Sequence, residues 1–249
     1  DGFLINVGDG SGTASATVTI EIVDDLPTAN ADSRSLTENG EPASVTGNVL
    51  DNDVGGADQP KSFTNWNGVA GATPGEGGSL LVNTPYGLVT LFADGRYSFT
   101  LANGSAAVEG LDQGQQVVLQ YAYSMRDGDN DPSDSTLTLT ITGSNDVPTI
   151  EVSTPNGQGD LAQVFEKGLA NGSSAGDGSN VTTGSFTVGD SDGLDDLSSL
   201  SVGSLTLDLT SNPFSALVGQ SFTTAHGTVQ ITGYSNGTYS FAYTLTEAT

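Results

Sequence analysis

The feature that most constrains this chain is a short segment that occurs twice, each time after a run of residues typical of a β-strand. Val23–Thr28 reads Val-Asp-Asp-Leu-Pro-Thr, and Ser144–Thr149 reads Ser-Asn-Asp-Val-Pro-Thr. The two prolines, Pro27 and Pro148, are 121 residues apart. A repeat of this length, with acidic residues and a proline at each junction, predicts a tandem array of β-domains.

Short alternating runs of apolar residues, separated by turn residues, predict an all-β chain built of β-sandwiches. The clearest alternation puts Val117, Leu119, Tyr121, Tyr123 and Met125 on one face of a strand. Two predicted hairpins that end in Tyr-Ser-Phe, at 87–99 and 227–241, indicate that one sandwich repeats the other. The run at 200–209 predicts a single strand.

The repeat divides the chain into three predicted segments. Residues 1–27 are expected to form the closing hairpin of a preceding or split β-sandwich, and residues 28–148 a complete sandwich. Residues 149–249 are expected to form a sandwich that lacks its last strands. Two explanations stay open: the chain is an arbitrary excerpt of a longer array, or a segment like 1–27 completes the sandwich of 149–249 by strand addition from another molecule.

The charge of the chain indicates which partners to expect. Thirty acidic residues against five basic residues give a net charge of −25. Nucleic acid and insertion into a membrane are not expected, because phosphates attract clustered Lys and Arg and the chain has no apolar run of spanning length. With no cysteine, disulfides and thiolate metal sites are excluded.

The same charge predicts that the fold binds a cation. Two carboxylates ~5 Å apart repel by about 3 kcal/mol at an effective dielectric constant near 20. Several such pairs would remove much of an ordinary folding free energy. Ca²⁺ is the expected cation, because Mg²⁺ keeps its water ligands more firmly.

Acidic clusters at the junctions and in the loops are the candidate metal ligands. Carboxylates from a strand end, a linker and the next domain can surround one Ca²⁺ and make the linker rigid. The alternative is that these residues cap strands and form turns. The candidates are Asp24, Asp25, Asp32 and Glu38 at the first junction, Asn145, Asp146 and Glu166 at the second, and Asp51, Asp53, Asp127, Asp129, Asp131, Asp190, Asp192, Asp195 and Asp196 in the loops.

The loop clusters are not EF-hands. The run that begins at Asp127 has Pro132 at the glycine position and Thr138 in place of the bidentate glutamate. The run that begins at Asp190 also lacks the required glycine and glutamate. A calcium site of another type and a solvated acidic turn are therefore the two alternatives for each loop.

No catalytic residue is predicted, and the chain is not expected to be an enzyme. His226 is the only histidine and is expected to be exposed in a hairpin, so a Ser-His-Asp triad would depend on it alone. A carboxylate pair for glycoside hydrolysis stays open by residue count. Trp66, the only tryptophan, is expected in the core, with a sugar-binding platform as the alternative.

Residues 30–40, 47–53, 127–146 and 184–196 carry motifs that resemble a known family. The first two stretches resemble the opening, and the third the closing strands, of the cadherin-like repeats of the VCBS type that occur in giant bacterial RTX adhesins. Residues 184–196 are similar to repeats of biofilm adhesins. The resemblance covers nearly the whole chain, although the RTX nonapeptide Gly-Gly-x-Gly-x-Asp does not occur in it.

The resemblance implies tandem Ig-like or cadherin-like β-sandwich domains with Ca²⁺-rigidified linkers. Such domains form the calcium-stabilised extender of a surface adhesin, which is secreted by a type I system and projects a ligand-binding module for cell adhesion and biofilm formation. The alternative is a glycan- or peptide-binding module within the adhesin. The implied partners are neighbouring repeats of the same polypeptide, with a glycan, peptide or host-surface ligand bound by other domains. The implied location is extracellular, at the bacterial cell surface.

Overall fold

The computed structural model describes residues 1–154 and 162–249, so residues 155–161 of the predicted third segment lie outside it. The described residues form β-strands and short 3₁₀ helices, and the predicted all-β fold is confirmed. None of the helices in these residues is long and apolar enough to cross a membrane. The chain divides into two compact units: Asp1–Leu36, Gly40–Leu101 and Val117–Ile141 in the first, and Thr37–Asn39, Ala102–Gln116 and Thr142–Thr249 in the second.

The first unit contains one hairpin and two larger sheets. Strands β1 and β2 pair with each other, and the larger sheets have the strand orders β3-β11-β10-β5 and β4-β9-β8-β7-β6 once the strands are numbered along the chain. These strands are β1 (Gly2–Gly8), β2 (Thr13–Thr19), β3 (Asp32–Thr37), β4 (Ser44–Asn48), β5 (Ser62–Asn67), β6 (Thr73–Pro74), β7 (Leu80–Thr84), β8 (Gly87–Leu91), β9 (Arg96–Leu101), β10 (Gln116–Arg126) and β11 (Pro132–Thr142).

The core of the first unit is formed by alternate residues of its two larger sheets, as a sandwich requires. The predicted alternation in β10 buries Tyr121, Tyr123 and Met125, which are at most 7% exposed. Strands β11, β8 and β9 add the buried residues Leu137, Leu139, Ile141, Val89, Leu91, Tyr97, Phe99 and Leu101. The apolar period of two therefore places a continuous core between the faces of the two sheets.

The second unit contains a five-stranded sheet of order β12-β13-β18-β17-β16 and a two-stranded sheet, β14-β15. The strands are β12 (Thr149–Ser153), β13 (Val181–Gly189), β14 (Ser199–Val202), β15 (Leu205–Asp208), β16 (Ser221–Thr223), β17 (Gly227–Ser235) and β18 (Thr238–Leu245). Its core is built around Phe186, Val188, Leu200, Leu207, Leu217, Ile231 and Tyr239. The turn between β17 and β18 uses Asn236 and Gly237, both with positive φ, which suits a two-residue hairpin.

The prediction of a single strand at 200–209 is wrong. The chain reverses at Gly203, and Val202 pairs with Leu205 across a tight turn. Gly203 has a φ of +60°, in the left-handed region that residues with a side chain seldom adopt. The apolar period continues on both sides of the turn, so it does not reveal the reversal.

Candidate metal centres

Among the described acidic residues of the second unit, Glu38 is the most deeply buried, at 1% exposed. It follows strand β3, and its backbone N–H donates a hydrogen bond to the Thr142 carbonyl at 2.9 Å. The backbone N–H of Ser144 donates to Glu38 Oε2 at 2.9 Å. The other carboxylate oxygen, Oε1, is buried with no hydrogen-bond partner among the described residues.

Asp146 and Asp192 show the same arrangement near Glu38: one carboxylate oxygen accepts a hydrogen bond and, among the described residues, the other does not. The backbone N–H of Asp146 donates to Asp192 Oδ2 at 2.7 Å, and Asp192 is 9% exposed. The side-chain amide of Asn39 lies 3.5 Å from Asp146 Oδ1. Asp146 Oδ2 and Asp192 Oδ1 are buried and, within the part of the chain that the structure describes, accept no hydrogen bond.

Glu109 completes this group, which we call the Glu38 cluster: Glu38, Glu109, Asp146 and Asp192. Glu38, Glu109 and Asp146 each offer a carboxylate oxygen, and these oxygens lie within 4.8 Å of one another. Ligands on opposite sides of a Ca²⁺ ion at about 2.4 Å from it are about 4.8 Å apart. The orphaned buried oxygens and the hard carboxylate donors therefore fit a divalent cation such as Ca²⁺.

The electrostatics of the Glu38 cluster also favour a positive charge there. Burial raises the pKa of Glu38, and the charges of Asp146, Glu109 and Asp192 raise it further. Burial likewise raises the pKa of Glu109, with additional contributions from the charge of Asp146 and a hydrogen bond to it. At neutral pH, these carboxylates repel one another unless a proton or a metal ion binds between them.

A second group of carboxylates lies in the first unit and is called the Asp127 cluster: Asp24, Asp58, Asp127, Asp129 and Asp131. Asp127 is 3% exposed. Its Oδ1 accepts a hydrogen bond from the backbone N–H of Asp131 at 2.9 Å, while Oδ2 is buried without a partner among the described residues. Oxygens of Asp24, Asp129 and Asp131 lie within 4.8 Å of one another, as do those of Asp58, Asp127 and Asp129.

The carboxylates of the Asp127 cluster perturb one another. A hydrogen bond with Asp127 raises the pKa of Asp129 to about 6, assisted by burial and by the charges of Asp127, Asp131 and Asp24. A hydrogen bond with Asp24 raises the pKa of Asp131. The donor set again consists of hard oxygen ligands, as Ca²⁺ prefers.

The residues predicted at the first junction do not form one group. Asp24 lies in the Asp127 cluster and Glu38 in the Glu38 cluster. Asp32 begins strand β3, whose last residue directly precedes Glu38, and six extended residues span roughly 20 Å. Since the two carboxylates flank one strand at its opposite ends, they cannot bind one ion.

Asp32 and Asp53 lie in a buried hydrogen-bonded network around the hydroxyl of Tyr123. That hydroxyl lies 3.0 Å from Asp53 Oδ1, 3.4 Å from Asp32 Oδ2 and 2.9 Å from the Asn30 carbonyl. The backbone N–H of Asn30 donates to Asp53 Oδ1 at 2.7 Å. Lys61 Nζ donates to the carbonyls of Leu50 and Asp53, each at 2.6 Å. These contacts hold the loop 49–53 against the inside of the sheet.

The other predicted ligands lie apart from the two clusters or at their edges. Asp190 Oδ1 accepts the backbone N–H of Asp192 at 3.2 Å and so helps to orient it. Glu166 Oε1 instead accepts hydrogen bonds from the backbone N–H and hydroxyl of Thr249, at 2.6 and 2.7 Å. The remaining predicted ligands, which are exposed, are Asp25, Asp51, Asn145, Asp195 and Asp196.

Glu109 and Asp58 were not among the residues singled out from the sequence. Each is a single acidic residue in a loop, without an acidic neighbour. Glu109 lies between Val108 and Leu111, which are at most 3% exposed. In the sequence, only the apolar residues Val108 and Leu111 indicate that the loop with Glu109 is anchored in the core.

Trp66 and His226 occupy the positions expected of structural residues. Trp66 is 9% exposed, its Nε1–H donates to the Phe92 carbonyl at 2.9 Å, and its ring lies 5.2 Å from that of Phe63. The prediction that it belongs to the core is confirmed, and it offers no open platform for a sugar ring. His226 is exposed immediately before β17, as expected.

One comparison with known proteins matches just under half of the chain. Residues 24–142 match the sequence model of the family described as Bacterial Ig domain. No curated protein matches the chain. The matched segment contains every strand from β3 to β11.

Solved structures of low similarity also align with the chain. Protocadherin gamma B7 extracellular cadherin domains 1–4 align with 99% of it at 14% identity and a TM-score of 0.43. PcdhgB3 EC1-4 aligns at 10% identity with a TM-score of 0.37, and the N-terminal eight Ig domains of Down Syndrome Cell Adhesion Molecule at 12% with a TM-score of 0.27. The chain spans 49%, about half, of the length of each protocadherin structure. It spans 24% of the Down Syndrome Cell Adhesion Molecule structure.

Proposed function

We propose that this chain is a calcium-stabilised extender segment of a bacterial surface adhesin, in which tandem β-sandwich domains project a ligand-binding module for adhesion and biofilm formation. The observation that carries the proposal is the set of three buried carboxylate oxygens in the Glu38 cluster that have no hydrogen-bond partner among the described residues. The match of residues 24–142 to a bacterial Ig domain supports an extracellular scaffold rather than an enzyme. The repeated junction sequence supports a tandem arrangement of domains 28–148 and 149–249.

The cluster residues come from segments on both sides of the second junction in the sequence. Glu38 and Glu109 precede the linker 143–148, Asp146 lies within it, and Asp192 follows it. One carboxylate oxygen of each of Glu38, Asp146 and Asp192 already accepts a hydrogen bond that orients the side chain, which leaves the other oxygen free to bind a cation. A bound Ca²⁺ would supply positive charge that cancels their repulsion.

Fixing these carboxylates would also restrict the linker. The backbone N–H groups of Ser144 and Asp146 donate to Glu38 and Asp192, so the linker backbone is bonded to the same side chains that would hold the ion. A bound ion would hold the carboxylates of Glu38 and Asp192 in place. The hydrogen bonds that they accept from Ser144 and Asp146 would therefore open less often. The extender would therefore be stiff in extracellular calcium and flexible without it.

The test is a calcium titration by isothermal calorimetry on the full chain and on E38Q. The substitution keeps the shape of the side chain and an oxygen for the Ser144 N–H, but removes one charged ligand. We expect the affinity of one site to fall by roughly a hundredfold, because calcium affinity depends on the number of charged ligands. E151Q is the matched control, since Glu151 is exposed on β12 and its loss changes the net charge equally.

Hydrogen exchange provides a second measurement. Calcium should slow exchange of the Ser144 and Asp146 amides in the wild-type chain and in E151Q, and have little effect in E38Q. The proposal would be rejected by an absence of calcium binding up to millimolar concentration, or by equal binding in E38Q and E151Q.

A further inference from the structure

The hairpin β1–β2 has an apolar face that lacks a cover among the described residues. The register pairs Phe3 with Val18, Ile5 with Ala16 and Val7 with Ala14, so these six side chains share one face. Neighbours on the other face are mainly polar, such as Asn6 opposite Ser15. Every residue of both strands is exposed, including Phe3 at 53% and Val7 at 67%.

The sequence repeat indicates that the apolar face of the hairpin corresponds to the core-facing side of a sandwich strand. Ala16, Val18 and Ile20 each lie 121 residues before a core residue of β11, the same interval that separates the two junction prolines. Those core residues, Leu137, Leu139 and Ile141, are at most 1% exposed. Strand β2 therefore carries the inward face of a last strand, as β11 does in the first unit.

The second unit has a gap of the matching kind. An apolar cavity of about 370 Å³ opens between the five-stranded sheet and strand β14, lined by Ile150, Val152, Phe186, Leu200, Val229 and Phe241 among others. Ile150 is 64% exposed and Val152 45% exposed. The first unit opposes its five-stranded sheet with four strands, whereas in the described part of the second unit the opposing sheet has two, β14 and β15.

The two surfaces are compatible in charge and in size. Neither strand of the hairpin contains a charged residue, and none lines the cavity, although the chain carries a net charge of −25. Strands β12 and β14 are edge strands of their sheets, so their backbones can pair with an added strand. Two seven-residue strands laid on such a surface would bury about 1,000 Å² in total, which is the lower limit for a specific interface.

We propose that β1–β2 of one copy of this chain inserts between β12 and β14 of a second copy, and so completes the sandwich of the second unit. The contact joins different surfaces on the two copies. Such a contact forms closed rings, of which a dimer with reciprocally exchanged hairpins is the smallest, or open chains of molecules. It rests on apolar burial and strand pairing, and does not depend on calcium.

The test measures the mass of the full chain by analytical ultracentrifugation from micromolar to millimolar concentration, with and without EDTA. The wild-type chain should assemble. I5D should weaken association by roughly a hundredfold or more, because it would bury an unpaired carboxylate. N6D is the matched control: it adds the same charge to the other face of the same strand and should assemble as the wild type does.

A mixing experiment identifies the second surface. I150D alters the cavity at an exposed residue, so it should fold but not accept a hairpin. I5D and I150D should each be monomeric alone, while their mixture should form a one-to-one dimer through the one intact pair of surfaces. A wild-type chain that stays monomeric, equal effects of I5D and N6D, or a mixture that stays monomeric would each overturn the proposal.

Discussion

The side chain of Asp32 lies inside the first unit at 7% exposed, and the Tyr123 hydroxyl approaches it at 3.4 Å. Burial raises its pKa to about 6, with a further contribution from the charge of Asp53, against an ordinary value of 3.8. The folded protein therefore holds this proton more tightly than the unfolded chain does. Asp32 contributes stability that is fully present below about pH 4 and is lost as the pH rises through about 6.

We expect D32N to stabilise the metal-free protein at pH 7 by about 1–3 kcal/mol, because the neutral amide replaces a buried charge. The gain should shrink as the pH falls from 7 toward 4. Unfolding in urea with EDTA, followed by Trp66 fluorescence, measures the free energy of unfolding of the first unit.

D94N serves as the control for this prediction. Asp94 is exposed, and the hydrogen bond that its carboxylate accepts from Arg96 Nε–H lowers the pKa of that carboxyl. D94N should therefore not stabilise the protein at pH 7. If D32N lowers stability at pH 7, or leaves its pH dependence between about 4 and 6 unchanged, the assigned cost of burying this charge is wrong.

Residue types were easier to predict than residue groupings. Clustered acids such as Asp127, Asp129 and Asp131 stand close together in the sequence, and a tight turn keeps them close in the fold. Glu38 and Asp146 are far apart in the sequence, and they meet because β3 and β11 are neighbours in one sheet. Strand pairing over such distances is set by the whole core rather than by local pattern, so the sequence did not reveal it.

At the scale of elements, the sequence predicted strands better than turns. The second strands of hairpins β8–β9 and β17–β18 both contain Tyr-Ser-Phe, and both hairpins have glycines with positive φ in their turns, Gly95 and Gly237. The β14–β15 hairpin was missed, because Gly203 and Ser204 interrupt an apolar run without the Asn-Gly or Asp-Gly pair that usually marks a two-residue turn.

The turn at Gly203 gives an element-scale prediction. A Cβ at this position would overlap the ring of Phe222 and would also be held at a φ of +60°. We expect G203A to lower the free energy of unfolding of the second unit by about 2–4 kcal/mol, through backbone strain and a clash with the Phe222 ring. The measurement is chemical denaturation followed by far-ultraviolet circular dichroism.

G219A separates the two causes. Gly219 has a φ of +87°, but a Cβ there would meet no atom within 4 Å. It should cost only the backbone strain, about 1 kcal/mol. Equal costs for the two variants would mean that Phe222 moves away freely and that the turn is not packed against it.

At the scale of the whole molecule, the net charge of −25 acts in two ways that can be separated. Exposed carboxylates repel through water, and salt screens them because the Debye length falls from about 10 Å at 0.1 M to about 3 Å at 1 M. Glu38 and Asp192 are at most 9% exposed, so dissolved ions do not screen their repulsion effectively. A proton or a cation bound in contact with the carboxylates would relieve it instead.

We therefore expect sodium chloride and calcium to stabilise the protein by different amounts. Raising sodium chloride to 1 M should increase the melting temperature slightly. Calcium at about a hundred times its dissociation constant should add about 2.7 kcal/mol, or roughly 5–10 °C for a chain of this size. Differential scanning calorimetry in 1 M sodium chloride, with and without calcium, measures the effect of calcium in isolation.

Because E38Q loses a ligand but keeps the surface charges, it should respond to salt as the wild type does and respond less to calcium. A calcium effect that disappears in 1 M salt would assign the stabilisation to surface screening and remove the role of the buried clusters.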